Sequence, residues 1–79
     1  MIKNRKIFIT GGAGFIGSTL IGLLIDENEI TVYDDFRRDA LQRKPYVNHS
    51  NLNIIKGNIL DFELLKNSIK GTQIVVHCA

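Results

Sequence analysis

Short apolar runs alternate with polar breaks along the chain of 79 residues. Four of these runs are rich in β-branched and aromatic residues and are too short for helices, so each predicts a strand. We expect these strands at residues 6–10, 30–34, 52–56 and 74–78. The first and the last are nearly continuous in apolar residues, which is typical of strands that are buried on both faces.

Two other stretches repeat their apolar residues with the period of a helix. They predict helices over residues 14–26 and 62–70, and Asp61 is a suitable N-cap for the second helix. Strands that are joined through helices form βαβ units, in which the strands are parallel. The expected buried stripes consist of Ile16, Leu20, Leu23 and Leu24 in the first helix and of Phe62, Leu65 and Ile69 in the second.

Residues 35–51 follow neither period. A short helix over residues 37–43 is compatible with the sequence, and Pro45 would end it because the residue before a proline avoids the α region. The chain therefore predicts two βαβ-like units that are linked by an irregular crossover.

The sequence T-G-G-A-G-F-I-G-S joins the first predicted strand to the first predicted helix. A strand, a glycine-rich turn and a helix in succession are what a dinucleotide-binding loop requires. Gly11 would let the chain reverse sharply, Gly14 would let the backbone approach a pyrophosphate, and Gly17 would let the helix lie close on the sheet. The N–H groups of the first helical turn, at Phe15 and Ile16, would then be available to an anion.

Asp34 ends the second predicted strand, where a carboxylate can accept hydrogen bonds from both hydroxyls of an adenosine ribose. The same carboxylate would repel the 2′-phosphate of NADP. Arg37 and Arg38 are the opposing signal, because a guanidinium group is how a protein holds that phosphate. We therefore predict NAD as the cofactor, with NADP as the less favoured alternative.

The spacing G-x-x-G-x-x-G and the string around it resemble the extended branch of the short-chain dehydrogenase/reductase superfamily, in particular its NAD-dependent nucleotide-sugar epimerases and dehydratases. The sequence G-N-I-L-D that follows the third strand resembles the family's G-D-I/L-x-D stretch, which implies adenine contacts for Asn58 and Ile59. Asn58 departs from the family's acid, although its amide oxygen can still accept a hydrogen bond. The sequence V-V-H-C-A resembles the end of the family's fourth strand, which implies that Cys78 and Ala79 line the cofactor.

The resemblance implies an α/β fold, namely the N-terminal portion of a Rossmann-type doubly wound parallel sheet. In the strand order 3-2-1-4-5-6, a fifth strand lies beside the fourth. Without it the apolar strand at residues 74–78 would have an open edge. We therefore expect residues 1–79 to be an incomplete NAD(P)-binding domain of a longer protein, whose substrate domain is absent from this sequence.

The family's catalytic base is the tyrosine of a Tyr-x-x-x-Lys pair that lies after the fourth strand. Arg37 and Ser50 stand where that lysine would follow Tyr33 and Tyr46. We therefore expect this chain to contain no catalytic residue of its own.

Composition narrows the classes of partner. A net charge of +2 is too small to indicate a nucleic-acid or membrane-surface partner. The single cysteine, Cys78, fits a reducing compartment and has no companion for a metal site. The apolar run after Lys6 is too short for a signal peptide or a membrane span, so we expect a cytoplasmic protein.

His77 lies within an apolar strand and is expected to be a structural core residue rather than a catalytic one.

Three functions remain open at this point. The resemblance implies the cofactor-binding part of an NAD-dependent nucleotide-sugar epimerase or dehydratase, similar to a UDP-glucose 4-epimerase, in a homodimeric protein that acts on a nucleotide-sugar. The second possibility is an NADP-dependent reductase of the same branch that acts on a steroid-like or flavonoid-like ketone. The third is a non-catalytic dinucleotide sensor, which would lack the Tyr-x-x-x-Lys pair that both enzymes need.

Overall fold

A computed structural model describes all 79 residues as one four-stranded sheet with two helices. The four predicted strands and both longer predicted helices are confirmed, although each helix ends earlier than the apolar pattern predicted. In chain order the elements are β1 (Lys6–Thr10), α1 (Phe15–Leu24), β2 (Glu29–Asp34), β3 (Leu52–Lys56), α2 (Phe62–Ser68) and β4 (Ile74–His77).

The strands lie in the order β3-β2-β1-β4, and all three pairs are parallel. In the register of the sheet, Thr10 lies between Tyr33 and His77, and Asp34 pairs with Lys56. The carboxyl ends of all four strands therefore meet at one edge. This order is that of the first four strands of a doubly wound sheet, so the predicted α/β fold class is confirmed.

The hydrophobic core lies between the sheet and α1. The central strands β1 and β2 contribute alternate residues to it, as expected for strands whose side chains point to opposite faces. Its buried members are Ile7, Ile9, Ala13, Ile21, Leu24, Ile25, Ile30, Val32 and Leu41.

The predicted buried stripe of α1 is partly wrong. Ile16 and Leu23 are 72% and 64% exposed, and Leu24 is the only fully buried residue of the four. The helix instead buries Gly17, Ser18, Ile21 and Leu24. Small residues on the buried side allow the helix to approach the turn before it, and an apolar pattern does not count glycine or serine as core positions.

The predicted short helix over residues 37–43 is also wrong, because residues 35–51 form successive bends and turns. Asp39 Oδ1 accepts hydrogen bonds from the backbone N–H groups of Leu41 (3.1 Å) and Gln42 (3.2 Å). Such local bonds give the backbone an alternative to a helix. Leu41 is only 1% exposed and joins the core, so the segment is held by this buried side chain.

The opposite face of the sheet carries α2, and its cover is thinner. Phe8 and Tyr33 are fully buried there, with their ring centroids 5.9 Å apart. However, α2 has no buried residue, and Phe62, predicted to be buried, is 68% exposed. Asp61 caps this helix by accepting from Leu64 N–H at 3.2 Å, as predicted.

Neither helix has the length and apolar character that crossing a bilayer would require.

Candidate functional site

A cleft of about 370 Å³ lies at the carboxyl edge of the sheet. This is the edge at which open α/β sheets bind their ligands. Each strand contributes the residues that follow or end it, so the cleft is built from four separate parts of the chain. Its lining consists of Gly11, Gly14, Tyr33, Asp34, Asp35, Arg37, Arg38, Gly57, Asn58, Ile59, Cys78 and Ala79.

The glycine turn, residues 10–18, forms one wall of the cleft. Gly11 has φ +72°, and a Cβ there would lie 2.6 Å from the backbone nitrogen of Ala79. A Cβ at Gly17 would lie 2.5 Å from the carbonyl oxygen of Gly11. Gly17 does allow close packing, but its partner is the backbone of the turn at Gly11 and Gly12 and not, as predicted, the sheet.

Gly14 differs from those two glycines. It is the N-cap of α1 with extended backbone angles, φ −80° and ψ 178°, which any residue can adopt. A Cβ there would meet only the Gly11 carbonyl oxygen, at 3.3 Å. A side chain at this position would therefore cause little steric conflict within the protein itself. Because Gly14 lines the cleft, the side chain would instead occupy space in the cleft.

The start of α1 offers free hydrogen-bond donors to the cleft wall. The first bond of the helix runs from Ser18 N–H to the Gly14 carbonyl at 3.0 Å, and the N–H groups of Phe15, Ile16 and Gly17 donate to no protein acceptor. No side chain caps this end, and no acidic residue lies in the first turn. An anion is what such a helix end accommodates, because the free N–H groups and the helix dipole both favour negative charge.

Asp34 is held by the backbone on both of its carboxylate oxygens. Oδ2 accepts from Ala13 N–H at 3.0 Å, and Oδ1 accepts from Phe36 N–H at 2.8 Å. Each oxygen of an ionised carboxylate has a further lone pair. The side chain is therefore fixed against the glycine turn and can still accept hydrogen bonds from a ligand in the cleft.

The two arginines of the cleft differ in their partners. Arg37 Nε lies 3.2 Å from Asp35 Oδ2, and its side chain is 85% exposed. Arg38 also lines the cleft and has no ion-pair partner. Asp35 and Asp34 thus place two carboxylates on this wall, and only one of the two arginines is free of them.

Asn58 lies at the turn that leaves β3, and its oxygens already have protein donors. Its carbonyl oxygen accepts from the Tyr33 hydroxyl at 2.7 Å and from Asp61 N–H at 2.9 Å. Its side-chain Oδ1 accepts from Leu60 N–H at 2.8 Å. A second lone pair of Oδ1 and the Nδ2 donor remain for a ligand, as does the unpaired N–H of Ile59.

Tyr33 is a part of the cleft that the sequence pattern did not single out. It is fully buried, and burial together with the negative charge of Asp61 raises the pKa of its phenol above the ordinary value. A tyrosine among β-branched residues at the end of a strand is a weak signal, because such a residue is most often only packed.

The end of β4 closes the cleft on its fourth side. Cys78 N–H donates to the Thr10 carbonyl at 2.8 Å, which brings Cys78 and Ala79 beside the glycine turn. His77 Nδ1 lies 2.5 Å from Thr10 Oγ1. His77 is exposed, so the expectation that it is a core residue is wrong, and its hydroxyl partner gives it a structural contact. No group of three or more His, Cys, Asp or Glu side chains is arranged to hold a metal ion.

Seven of the ten predicted cofactor-binding residues line the cleft, and three do not. Phe15, Ile16 and Gly17 lie on the first turn of α1, where the side chains of Phe15 and Ile16 are 84% and 72% exposed. The predicted contribution of Phe15 and Ile16 is through their backbone N–H groups, which are among the unpaired donors described above, whereas the predicted role of Gly17 is close packing of the helix. The seven lining residues are Gly11, Gly14, Asp34, Asn58, Ile59, Cys78 and Ala79.

Comparisons with known proteins agree with this geometry. Residues 8–79 match the model of the 3-beta hydroxysteroid dehydrogenase/isomerase family. The UDP-glucuronic acid decarboxylase 1 of Danio rerio is 39% identical over 62 residues, which are 75% of this chain and 15% of that protein. The chain thus spans less than a fifth of the length of this curated relative.

Two solved structures have a similar fold. UDP-N-acetylglucosamine 4-epimerase from Methanobrevibacter ruminantium, in complex with UDP-N-acetylmuramic acid, superposes with a TM-score of 0.89 and 36% identity, covering 99% of this chain and 25% of that one. dTDP-glucose 4,6-dehydratase from Bacillus anthracis, in complex with NAD, superposes with a TM-score of 0.80 and 31% identity, covering 95% and 26%. Together with the family match, these similarities show that the chain belongs to the 3-beta hydroxysteroid dehydrogenase/isomerase family, within the extended branch of the short-chain dehydrogenases/reductases.

Proposed function

We propose that this chain is the NAD-binding part of an enzyme of the nucleotide-sugar epimerase/dehydratase class. The observation that carries the proposal is the pairing of two features across one cleft. Unpaired N–H groups begin α1 on one wall, and the carboxylate of Asp34 is fixed by backbone donors on the next. A dinucleotide has the matching groups, because its pyrophosphate is anionic and its adenosine ribose carries two hydroxyls.

The residues that line the cleft would contact successive parts of such a cofactor along the edge of the sheet. Gly14 leaves space where a pyrophosphate would approach the backbone, and Asp34 would accept from the ribose hydroxyls. Asn58 and Ile59 would contact the adenine, and Cys78 and Ala79 would lie toward the nicotinamide end. NAD supplies a ring that accepts and returns a hydride.

The activity proposed for the whole protein begins with oxidation of a sugar hydroxyl by hydride transfer to NAD. The hydride is returned after the sugar has been epimerised, as in an isomerase, or has undergone elimination, as in a lyase. Its substrate would be a nucleotide-sugar, as in the enzymes named for the similar structures. We assign no catalytic role to any of the 79 residues, since neither Tyr33 nor Tyr46 is followed by a lysine at the spacing of the family's catalytic pair. The part played by this chain is to bind and orient the cofactor.

A second candidate function is a steroid dehydrogenase or reductase, which the name of the matching family model favours. An enzyme of that kind that uses NADP would need a cation near the ribose, and Arg38 is available for this purpose. We favour NAD because Arg37 is paired with Asp35 and because Asp34 would lie beside a 2′-phosphate. The negative charges of the Asp34 carboxylate and the 2′-phosphate would repel each other, and this repulsion would disfavour the binding of NADP.

We further propose that the whole protein is cytoplasmic and forms a homodimer that binds neither nucleic acid nor a membrane. A reducing compartment is supported by the free thiol of Cys78. The low net charge of +2 supports the absence of a nucleic-acid partner.

Titration calorimetry with NAD and with NADP tests the assignment of the cofactor. We expect tighter binding of NAD, and in Asp34→Asn we expect this preference to shrink because the negative charge beside the ribose is lost. Asp26→Asn removes the same charge at the opposite end of the sheet and controls for net charge. Tighter binding of NADP by the unmodified protein would show that Arg38 outweighs Asp34.

A further inference from the structure

Tyr33 connects two walls of the cleft, the glycine turn and the turn after β3. Its backbone carbonyl accepts from Gly11 N–H at 2.9 Å, so it is bonded to the glycine turn. Its hydroxyl donates to the Asn58 carbonyl at 2.7 Å, so it is also bonded to the turn after β3. No other side chain donates a hydrogen bond to the segment of residues 57–59.

The contact is tight as well as polar. A Cβ at Gly57 would lie 2.5 Å from the Tyr33 hydroxyl oxygen and 2.6 Å from Cζ. The backbone of the turn therefore lies directly against the end of the tyrosine ring. On its other side the ring packs against Phe8, and the side chain is fully buried.

The bond from Tyr33 also determines which groups of the turn are free. The Asn58 carbonyl has two lone pairs, and Tyr33 and Asp61 N–H occupy both of them. The donors of this turn that have no protein partner include the side-chain Nδ2 of Asn58 and the backbone N–H groups of Asn58 and Ile59, and Asn58 Oδ1 keeps a free lone pair beside them. Donors beside an acceptor match the edge of an adenine, which offers ring nitrogens beside an amino group.

We propose that Tyr33 is a positioning residue for the adenine end of the cleft, which it orients by holding the Asn58 carbonyl with its hydroxyl. This inference rests on the proposed dinucleotide function, and it adds a residue whose hydroxyl acts through Asn58 and not through a hydrogen bond of its own to the cofactor. Burial and the charge of Asp61 raise the pKa of the phenol, so the hydroxyl remains a donor throughout the neutral range.

The test compares the affinities of ADP and inosine diphosphate, whose base has a carbonyl and a ring N–H where adenine has an amino group and an acceptor. The unmodified protein should bind ADP more tightly. In Tyr33→Phe we expect the affinity for ADP to fall by about two- to tenfold, and the preference for ADP over inosine diphosphate to be lost.

Tyr46→Phe is the matched control. Tyr46 also donates its hydroxyl to a backbone carbonyl, that of Ser18, and its ring also packs over a glycine, Gly22, where a Cβ would lie 3.3 Å away. It does not line the cleft. We expect Tyr46→Phe to keep the ADP preference even where its unfolding free energy falls as much as that of Tyr33→Phe.

If Tyr33→Phe does not fold, Gly57→Ala provides a second variant, because its new methyl group would displace the hydroxyl while the tyrosine remains. The same loss of ADP preference is expected. An unchanged preference in either variant, or an equal loss of affinity for ADP and inosine diphosphate, would overturn the positioning role. So would an unmodified protein that binds both nucleotides equally well. An unmodified protein that binds neither would overturn the proposed function as well.

Discussion

The glycine turn (residues 10–18) and the crossover segment (residues 35–51) lie side by side in the molecule but are held in different ways. The turn is shaped by backbone against backbone, because Gly11 and Gly17 leave space where a side chain would collide with main-chain atoms. The crossover is held by side chains that reach out of it, such as the core residue Leu41. Two hydrogen bonds join them directly, one from Ala40 N–H to the Ala13 carbonyl at 2.8 Å and one from the Tyr46 hydroxyl to the Ser18 carbonyl.

This difference explains why the conformation of the glycine turn can be predicted from its sequence and that of the crossover cannot. A turn that depends on absent side chains requires glycine at particular positions, so its sequence can be recognised. A segment that depends on a few anchors accepts many sequences between them. The following substitutions separate the two mechanisms.

The largest effect on stability is expected for Leu41→Ala in the crossover. Leu41 is 1% exposed within the core cluster, and its truncation should lower the free energy of unfolding by about 2–5 kcal/mol. Urea denaturation measures this loss. Leu60→Ala, at a residue that is 84% exposed, is the control and should change it by less than about 0.5 kcal/mol. Equal effects would mean that Leu41 does not anchor the segment.

Gly17→Ala should be the next largest. Its methyl group would lie 2.5 Å from the Gly11 carbonyl oxygen and 2.7 Å from Gly12 Cα, and backbone atoms cannot move aside cheaply. We expect a loss of about 1–3 kcal/mol in unfolding free energy. Gly22→Ala in the same helix is the control, since its methyl group would meet only the edge of the Tyr46 ring, at 3.3 Å. A Gly17→Ala protein as stable as the control would contradict the close packing of turn and helix.

Alkaline pH should weaken the crossover through Tyr46. Burial raises the pKa of this phenol above the ordinary 10.0. Because the folded-state pKa exceeds the unfolded one, the stabilisation is complete below about pH 10 and is lost as the pH rises through the folded-state value.

Urea midpoints measured from neutral pH to roughly pH 11 should therefore fall more steeply in the unmodified protein than in Tyr46→Phe. Tyr33, whose pKa is also raised, should contribute the fall that remains in the variant. A Tyr46→Phe protein with the same pH dependence as the unmodified one would show that ionisation of Tyr46 is not linked to unfolding.

The smallest effect on stability, and a large one on binding, is expected for Gly14→Val. The backbone at Gly14 is extended and only the Gly11 carbonyl oxygen lies near its missing Cβ, so the fold should tolerate the side chain with a small loss. The side chain would occupy the space proposed for the pyrophosphate. We expect calorimetry to show no binding of NAD while the circular dichroism spectrum is retained. Unchanged affinity for NAD would refute the close-approach role of Gly14.

Much of the fold could be predicted because it depends on local patterns. The strands and both longer helices follow from apolar periodicity, and Asp61 follows from its position before a helix. The glycine spacing and Asp34 also predicted the position of the cleft. A turn that needs glycine and a ribose site that needs a carboxylate can both be recognised from residue type and spacing alone.

Other features could not be predicted, since they depend on distant partners. Ile16 and Leu23 are exposed because the helix uses Gly17 and Ser18 for its contact. Residues 37–43 form no helix, because Asp39 bonds locally and Leu41 is drawn into a core built by other elements.

By itself, the sequence determined the order of elements, the parallel βαβ character and the identity of the glycine turn. Each of these rests on neighbouring residues and on the conformations they allow. Only the tertiary structure decided that Tyr33 bonds to Asn58. That contact joins residues far apart in sequence, and it exists because parallel strands bring their carboxyl ends to one edge, where buried polar groups must find partners.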